Sequence, residues 1–265
     1  MFKQDQGSSF PAVAITMILA CAGMARGATF DVNDVRDAVD AAPGDGACEA
    51  TPGMQDCTLR AAIQEANATV GADVIELPSG VFAIGIPGES EEEAATGDLD
   101  VTGSLTIRGA GRDRTIIDGA ELDRVLDVPR REHHVVLVVE GLTIRGGNHG
   151  GMRFLAAGTL DLIDCALRDN DTPAAGGGLY ASGASVSLLR TLVSGNRAAM
   201  QGGGIRIHAG TLTLEDSDVT GNTVQGPRPA GIDATLSKVS IARGFVQDDR
   251  HDVAPERILA CYAPD

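Results

Sequence analysis

Arg153, Tyr180, Arg206 and Asp233 follow one another at intervals of 26 or 27 residues, and His208 stands two places beyond Arg206. If each interval is one winding of a stacked chain, the four lie side by side, and His208 shares their face because side chains two apart on a strand point the same way. Piled at strand spacing they form a polar stripe about 15 Å long, the size of a few sugar units. Guanidinium groups hold carboxylates through charge-assisted hydrogen bonds and a tyrosine ring offers a stacking surface, so the chemistry is that of binding a neutral or carboxylated glycan. The plainer reading is a solvated face with an ordinary Arg206 to Asp233 ion pair.

Catalysis asks for more. A polysaccharide lyase would want an arginine base and often calcium held by carboxylates, and a glycoside hydrolase would want two carboxylates about 5 to 10 Å apart. Asp98 with Asp100, and Asp233 with a neighbour, are the candidates, and Arg206 and Asp233 are the residues to test first. The outward column of the adjoining strand, Asp161, Ser187, Thr213 and Ser240, contains one carboxylate, which weighs against an enzyme. Glu89 with Glu91, Glu92 and Glu93 lacks the alternating ligand order of a calcium loop. His133 and His134 are adjacent on extended backbone and point apart, and the acid and histidine run from Asp248 to His251 has no accompanying motif. The residues assign no catalytic set, no cofactor and no metal.

These side chains need an element that repeats. Asn170, Asn196 and Asn222 are 26 residues apart, as are Leu160, Val186 and Leu212 and the runs Gly176-Gly177-Gly178 and Gly202-Gly203-Gly204; a fourth copy carries one inserted residue. Within each unit apolar residues alternate over short stretches, as in Leu160-Asp161-Leu162 and Leu212-Thr213-Leu214, which is the period of a strand. Three strand columns emerge: Leu160, Val186, Leu212, Val239; Met152, Leu179, Ile205, Ile232; and Leu167, Val193, Val219, Val246. Three strands per unit with no helical pattern between them describe one turn of an all-β parallel β-helix. The asparagines would form a ladder at one bend, where Asn tolerates left-handed geometry, with Asp249 their counterpart in the fourth copy; the glycines mark another bend with positive φ. Looser spacing extends the pattern back to Asp73, for about six or seven coils. Residues 58–67 place Leu59, Ala62, Ile63 and Ala66 on one face of a short helix, which would cap the open end.

Composition agrees. The chain of 265 residues has no Trp, 34 Gly and a formal charge of −16, so a narrow aliphatic interior is expected and a phosphate-backbone partner is not. Residues 1–27 read as a cleaved export signal, with acylation at Cys21 the competing reading, and no later run qualifies as a transmembrane segment. An oxidising compartment makes Cys48 and Cys57 a natural local disulfide. Cys165 takes the slot of Thr191 and Ser217, which predicts a small buried side chain, and its pairing with Cys261 is left open. The expected organisation is a signal over 1–27, a cap region with helix and disulfide over 28–72, the β-helix over 73–246 and a degenerate tail over 247–265.

The stretch from Gly46-Ala47-Cys48 through Cys57-Thr58-Leu59-Arg60-Ala61-Ala62-Ile63-Gln64-Glu65-Ala66-Asn67 resembles the N-terminal signature of CSLREA-domain proteins, with Thr58 in place of the signature's Ser and Ala61 in place of its Glu. Residues 95–100, 105–111 and 115–119 are also similar to that family. The resemblance implies a right-handed, pectin-lyase-like β-helix that is exported and resides outside the cell or at its surface. It implies no activity and carries no catalytic residues. The expected function is a non-catalytic, adhesin-like or glycan-binding surface module whose partners are extracellular glycans or envelope components; the alternative is a polysaccharide lyase or hydrolase acting on an acidic glycan.

Overall fold

The computed structural model describes residues 27–88 and 91–247 and the strand Ile258–Leu259. The expected leader with Cys21, Glu89, the run from Asp248 to His251 and Cys261 lie outside the described residues. The chain winds into a parallel β-solenoid of about 6 turns. Its strands form sheets of nine, seven and six members along the axis. Among the described residues no helix is long and apolar enough to cross a membrane.

The three apolar columns are in register. Leu160 pairs with Val186, Val186 with Leu212 and Leu212 with Val239. Met152, Leu179, Ile205 and Ile232 pair in the same way, as do Leu167, Val193, Val219 and Val246. These side chains belong to one continuous core that runs the length of the coil. Burial of stacked aliphatic groups is the main stabilising term, and alternation along each strand sends the intervening residues outward. A fourth sheet of three short strands, Asp171–Thr172, Arg197–Ala198 and Thr223–Val224, lies at a corner and was not expected. Two residues per strand are too few for a visible alternation.

The bends hold buried polar ladders. Asn170 Nδ2 donates to Asn196 Oδ1 at 2.9 Å, and Asn196 Nδ2 to Asn222 Oδ1 at 3.0 Å, while Asn196 Oδ1 and Asn222 Oδ1 also accept the N–H groups of Asn170 and Asn196. The left-handed residue is not the asparagine, as expected, but the one before it: Asp169 at φ 55°, Gly195 at 67° and Gly221 at 62°. That turn aims the amide inward. Gly176 and Gly202 have the positive φ expected of them, and a Cβ on Gly177 would fall 2.4 Å from the Gly203 carbonyl oxygen, so the next winding can pass only a glycine.

Cys165, Thr191 and Ser217 form a second buried ladder, with the Cys165 and Thr191 N–H groups donating to the hydroxyls of Thr191 and Ser217. Burial pushes the Cys165 thiol up to about 11, which makes it inert. Outside the same bend Asp164, Arg190, Asp216 and Arg243 stack with alternating charge, Arg190 on Asp164 at 2.7 Å and Arg243 on Asp216 at 2.8 Å. Such exposed pairs stabilise little.

The helix Leu59–Ala68 covers the first winding, with the Thr58 hydroxyl accepting the Ala61 N–H at its N-terminus. It is buried from Leu59 to Ala66, not along one face only, because residues 34–57 wrap its other side. The Cys48–Cys57 disulfide closes that wrap.

Candidate functional site

The expected stripe exists and is longer than expected. The six-stranded sheet consists of Leu99–Asp100, Leu126–Val128, Met152–Phe154, Leu179–Ser182, Ile205–His208 and Ile232–Thr235. Its inward residues, from Leu99 and Leu126 to Ile232, fill the core. Between them one outward column runs in register through Asp100, Asp127, Arg153, Tyr180, Arg206 and Asp233. Six rungs at strand spacing span about 24 Å. His208 pairs in register with Ser182 and Thr235 and lines a neighbouring open cavity of about 680 Å³ with Arg130, Arg131 and Glu132.

Both arginines of the stripe have acid partners. Arg206 bonds Asp233 and donates to the Thr235 hydroxyl at 2.8 Å. The Arg206 and Asp233 side chains are only 13% and 7% exposed, so this is a largely desolvated pair and not the solvated one the plainer reading described. Arg153 grips both carboxylate oxygens of Asp127, and that fork raises the guanidinium's proton affinity further. Tyr180 sits between the two pairs, half-buried, with its ring at mid-stripe.

The acid end of the column carries the unusual chemistry. Asp98, Asp100 and Asp127 each place a carboxylate oxygen within 4.8 Å of the other two, and all three residues are buried. Arg124 donates to Asp98 at 3.0 Å and lies 3.9 Å from Asp127. Among the described residues no cation pairs with Asp100. Its Oδ2 accepts the Ala94 N–H at 3.2 Å, and its Oδ1 is buried without a hydrogen-bond partner. Burial, followed by repulsion from Asp127, pushes Asp98 up to about 7. Burial and the charges of Asp98 and Asp127 push Asp100 up to about 8. Desolvation and the closeness of like charges thus both disfavour ionisation of Asp98 and Asp100. Beside them opens a cavity of about 220 Å³ lined by Glu91, Asp98, Asp123, Arg124, Asp127, His149 and Arg153.

The cap builds this end. Arg60, fully buried on the helix, binds Asp37 through Nε at 2.6 Å and donates to the carbonyls of Ala94, Gly97 and Asp98. Asn67 holds the Asp100 carbonyl at 2.7 Å and accepts the Thr102 N–H at 2.8 Å. The segment bearing Asp98 and Asp100 is thereby pinned on both sides, and its loop folds over Asp100.

Of the weaker candidates, Glu91 accepts the Glu93 and Thr96 N–H groups, Glu92 pairs with Arg131, and His133 contacts the Thr102 carbonyl; none of these forms a ligand set with its sequence neighbours. Sequence reasoning named Asp98 with Asp100 but missed Asp127 and Arg60. The signal for Asp127 was present, since it stands 26 residues before Arg153 and 27 after Asp100. A scan against family models and searches of curated proteins and solved structures each found no match.

Proposed function

We propose that the protein is an exported or cell-surface β-helical module that binds a glycan along the column from Arg153 to Asp233 without cleaving it. The observation that carries this reading is the register of that column, which sets Tyr180 between two arginine–aspartate pairs on one regular sheet. Arg153, with a third of its side chain exposed, can still offer N–H groups to a sugar carboxylate or hydroxyl, and the Tyr180 ring beside it offers a stacking face. Export rests on the 1–27 leader pattern and on the CSLREA resemblance of residues 46–67.

A glycan array probed with the protein lacking residues 1–27 tests the reading. A specific neutral or acidic oligosaccharide hit is expected, weakened about 3- to 10-fold by Tyr180→Ala, the usual worth of one stacked ring. No binding across the array, or binding indifferent to Tyr180, would remove it.

One observation favours cleavage of an acidic glycan instead: Asp98, pushed up to about 7, borders a cavity next to ionised groups, as a general acid should. Against it, the carboxylate oxygens lie within 4.8 Å of one another, closer than the roughly 5 to 9.5 Å that leaves room for a sugar and its nucleophile. Reducing-sugar or unsaturated-product release by the parent protein, abolished by Asp98→Asn, would establish the hydrolase or lyase reading in place of binding alone.

A further inference from the structure

The geometry points to a divalent-cation site, calcium by its chemistry, held by Asp98, Asp100 and Asp127 where the cap loop closes over the first rungs of the sheet. The donor set is oxygen only, which suits a hard cation and not zinc or copper. Oxygens within 4.8 Å of one another are close enough to share one ion at the ligand distance of calcium, about 2.3 to 2.6 Å.

The independent observation is the orphaned oxygen. Asp100 is fully buried, it contributes to the triangle, and its Oδ1 has no hydrogen-bond partner among the described residues. A buried carboxylate oxygen left this way is strongly unfavourable unless something positive faces it. The arginines at hand leave Asp100 unpaired: Arg153 binds both oxygens of Asp127, and Arg124 binds Asp98 and the edge of Asp127, so an ion there shares those two carboxylates with the guanidinium groups and faces Asp100 alone. Glu91 and Asp123 add further negative charge at the cavity, and His149 faces Asp123 at 3.2 Å, not the triangle. Acid therefore outnumbers base at this end, and one divalent ion offsets most of the excess.

Three protein oxygens are fewer than the 6 to 8 that calcium takes, and the adjoining cavity supplies the missing positions as water. Asp98 and Asp100 come from the segment that Arg60 and Asn67 pin, and Asp127 from the next winding. An ion there ties the cap loop to the sheet.

Calorimetric titration of the metal-stripped protein with CaCl₂ at neutral pH, paired with thermal melting, tests this. One calcium per chain is expected, with a rise in Tm of about 4 °C at ~5 mM, the shift that a site in the 10⁻⁴ to 10⁻³ M range would produce. Asp100→Asn should lose most of that shift while retaining the parent's far-ultraviolet circular dichroism. Asp98→Asn, at the cavity rim, serves as a second variant and should weaken calcium at least 10-fold. No heat and no Tm change with Ca²⁺, Mg²⁺ or Mn²⁺ would overturn the inference, and so would a shift of equal size in the parent and in both variants. Calcium binding is read separately from glycan binding, so either can fail alone.

Discussion

Replacing Asn196 by Leu is expected to lower the unfolding free energy by about 3 to 5 kcal/mol, the cost of stranding two buried polar groups at roughly 1 to 3 kcal/mol each. The volume change is small, so the effect isolates hydrogen bonding. Asn196 Oδ1 accepts both the N–H and the Nδ2 of Asn170, at 3.1 and 2.9 Å, and its Nδ2 donates to the Leu167 carbonyl at 2.9 Å. Asn170 retains its bond from Nδ2 to the Ile144 carbonyl, but its N–H and the Leu167 carbonyl lose their side-chain partner in the dry interior. Urea titration of the parent and Asn196→Leu reads the difference as a drop in midpoint at an unchanged slope. A loss under about 1 kcal/mol would mean that the bend is solvated and the ladder ornamental.

The second large effect concerns pH. In a chelator, the parent should lose stability as pH rises from about 4 to about 8, and Asp100→Asn should lose much less. Asp100 is raised from 3.8 to about 8 and Asp98 from 3.8 to about 7, both mainly by burial. A carboxyl raised in this way keeps its proton in the folded state after the unfolded chain has released its own. The native state then binds more protons than the unfolded one, so stability falls through the interval between the two values and levels off above the higher. Below about pH 4 the penalty is absent and the variant should match the parent. At pH 8 it should exceed the parent by roughly 2 to 5 kcal/mol, since each pKa unit corresponds to about 1.4 kcal/mol. Calcium should narrow that difference by stabilising only the parent. A parent flat in stability from pH 4 to 8 would contradict the burial of this cluster.

The coil was legible because its period is written in residue types that rarely coincide by chance. Asparagine at 170, 196 and 222 and glycine triplets at the same interval mark bends, and aliphatic pairs mark inward positions. The stripe followed from them directly, since Arg153, Tyr180, Arg206 and Asp233 each stand one place after Met152, Leu179, Ile205 and Ile232 of an inward column. Other columns keep the period but hide it. Asp164, Arg190, Asp216 and Arg243 occupy one corner, all with φ near 50°, yet their charges alternate and no single residue type repeats.

The acid cluster was half legible for a related reason. Asp127 obeys the interval, but its winding has neither asparagine nor a glycine triplet to announce it. What sequence could not disclose is the loop that folds over Asp100, because covering a side chain depends on the path of residues 91–97 and not on their type. Arg60 was hidden likewise. A helical wheel sends an arginine to solvent, whereas the wrapping cap turns it inward onto three carbonyls.

The register of equivalent positions between windings is the claim on which stripe and cluster both stand, and electron–electron dipolar spectroscopy on paired spin labels measures it. Ala72, Ser104, Val136, Thr159, Ser185, Thr211 and Lys238 occupy successive rungs of the nine-stranded sheet. Labels at Val136→Cys and Lys238→Cys are four rungs apart and those at Ala72→Cys and Lys238→Cys six, so backbone separations of about 19 and 29 Å are expected, with narrow distributions. Equal distances for the two pairs, or broad distributions centred well away from these values, would contradict the coil and everything placed on its surface.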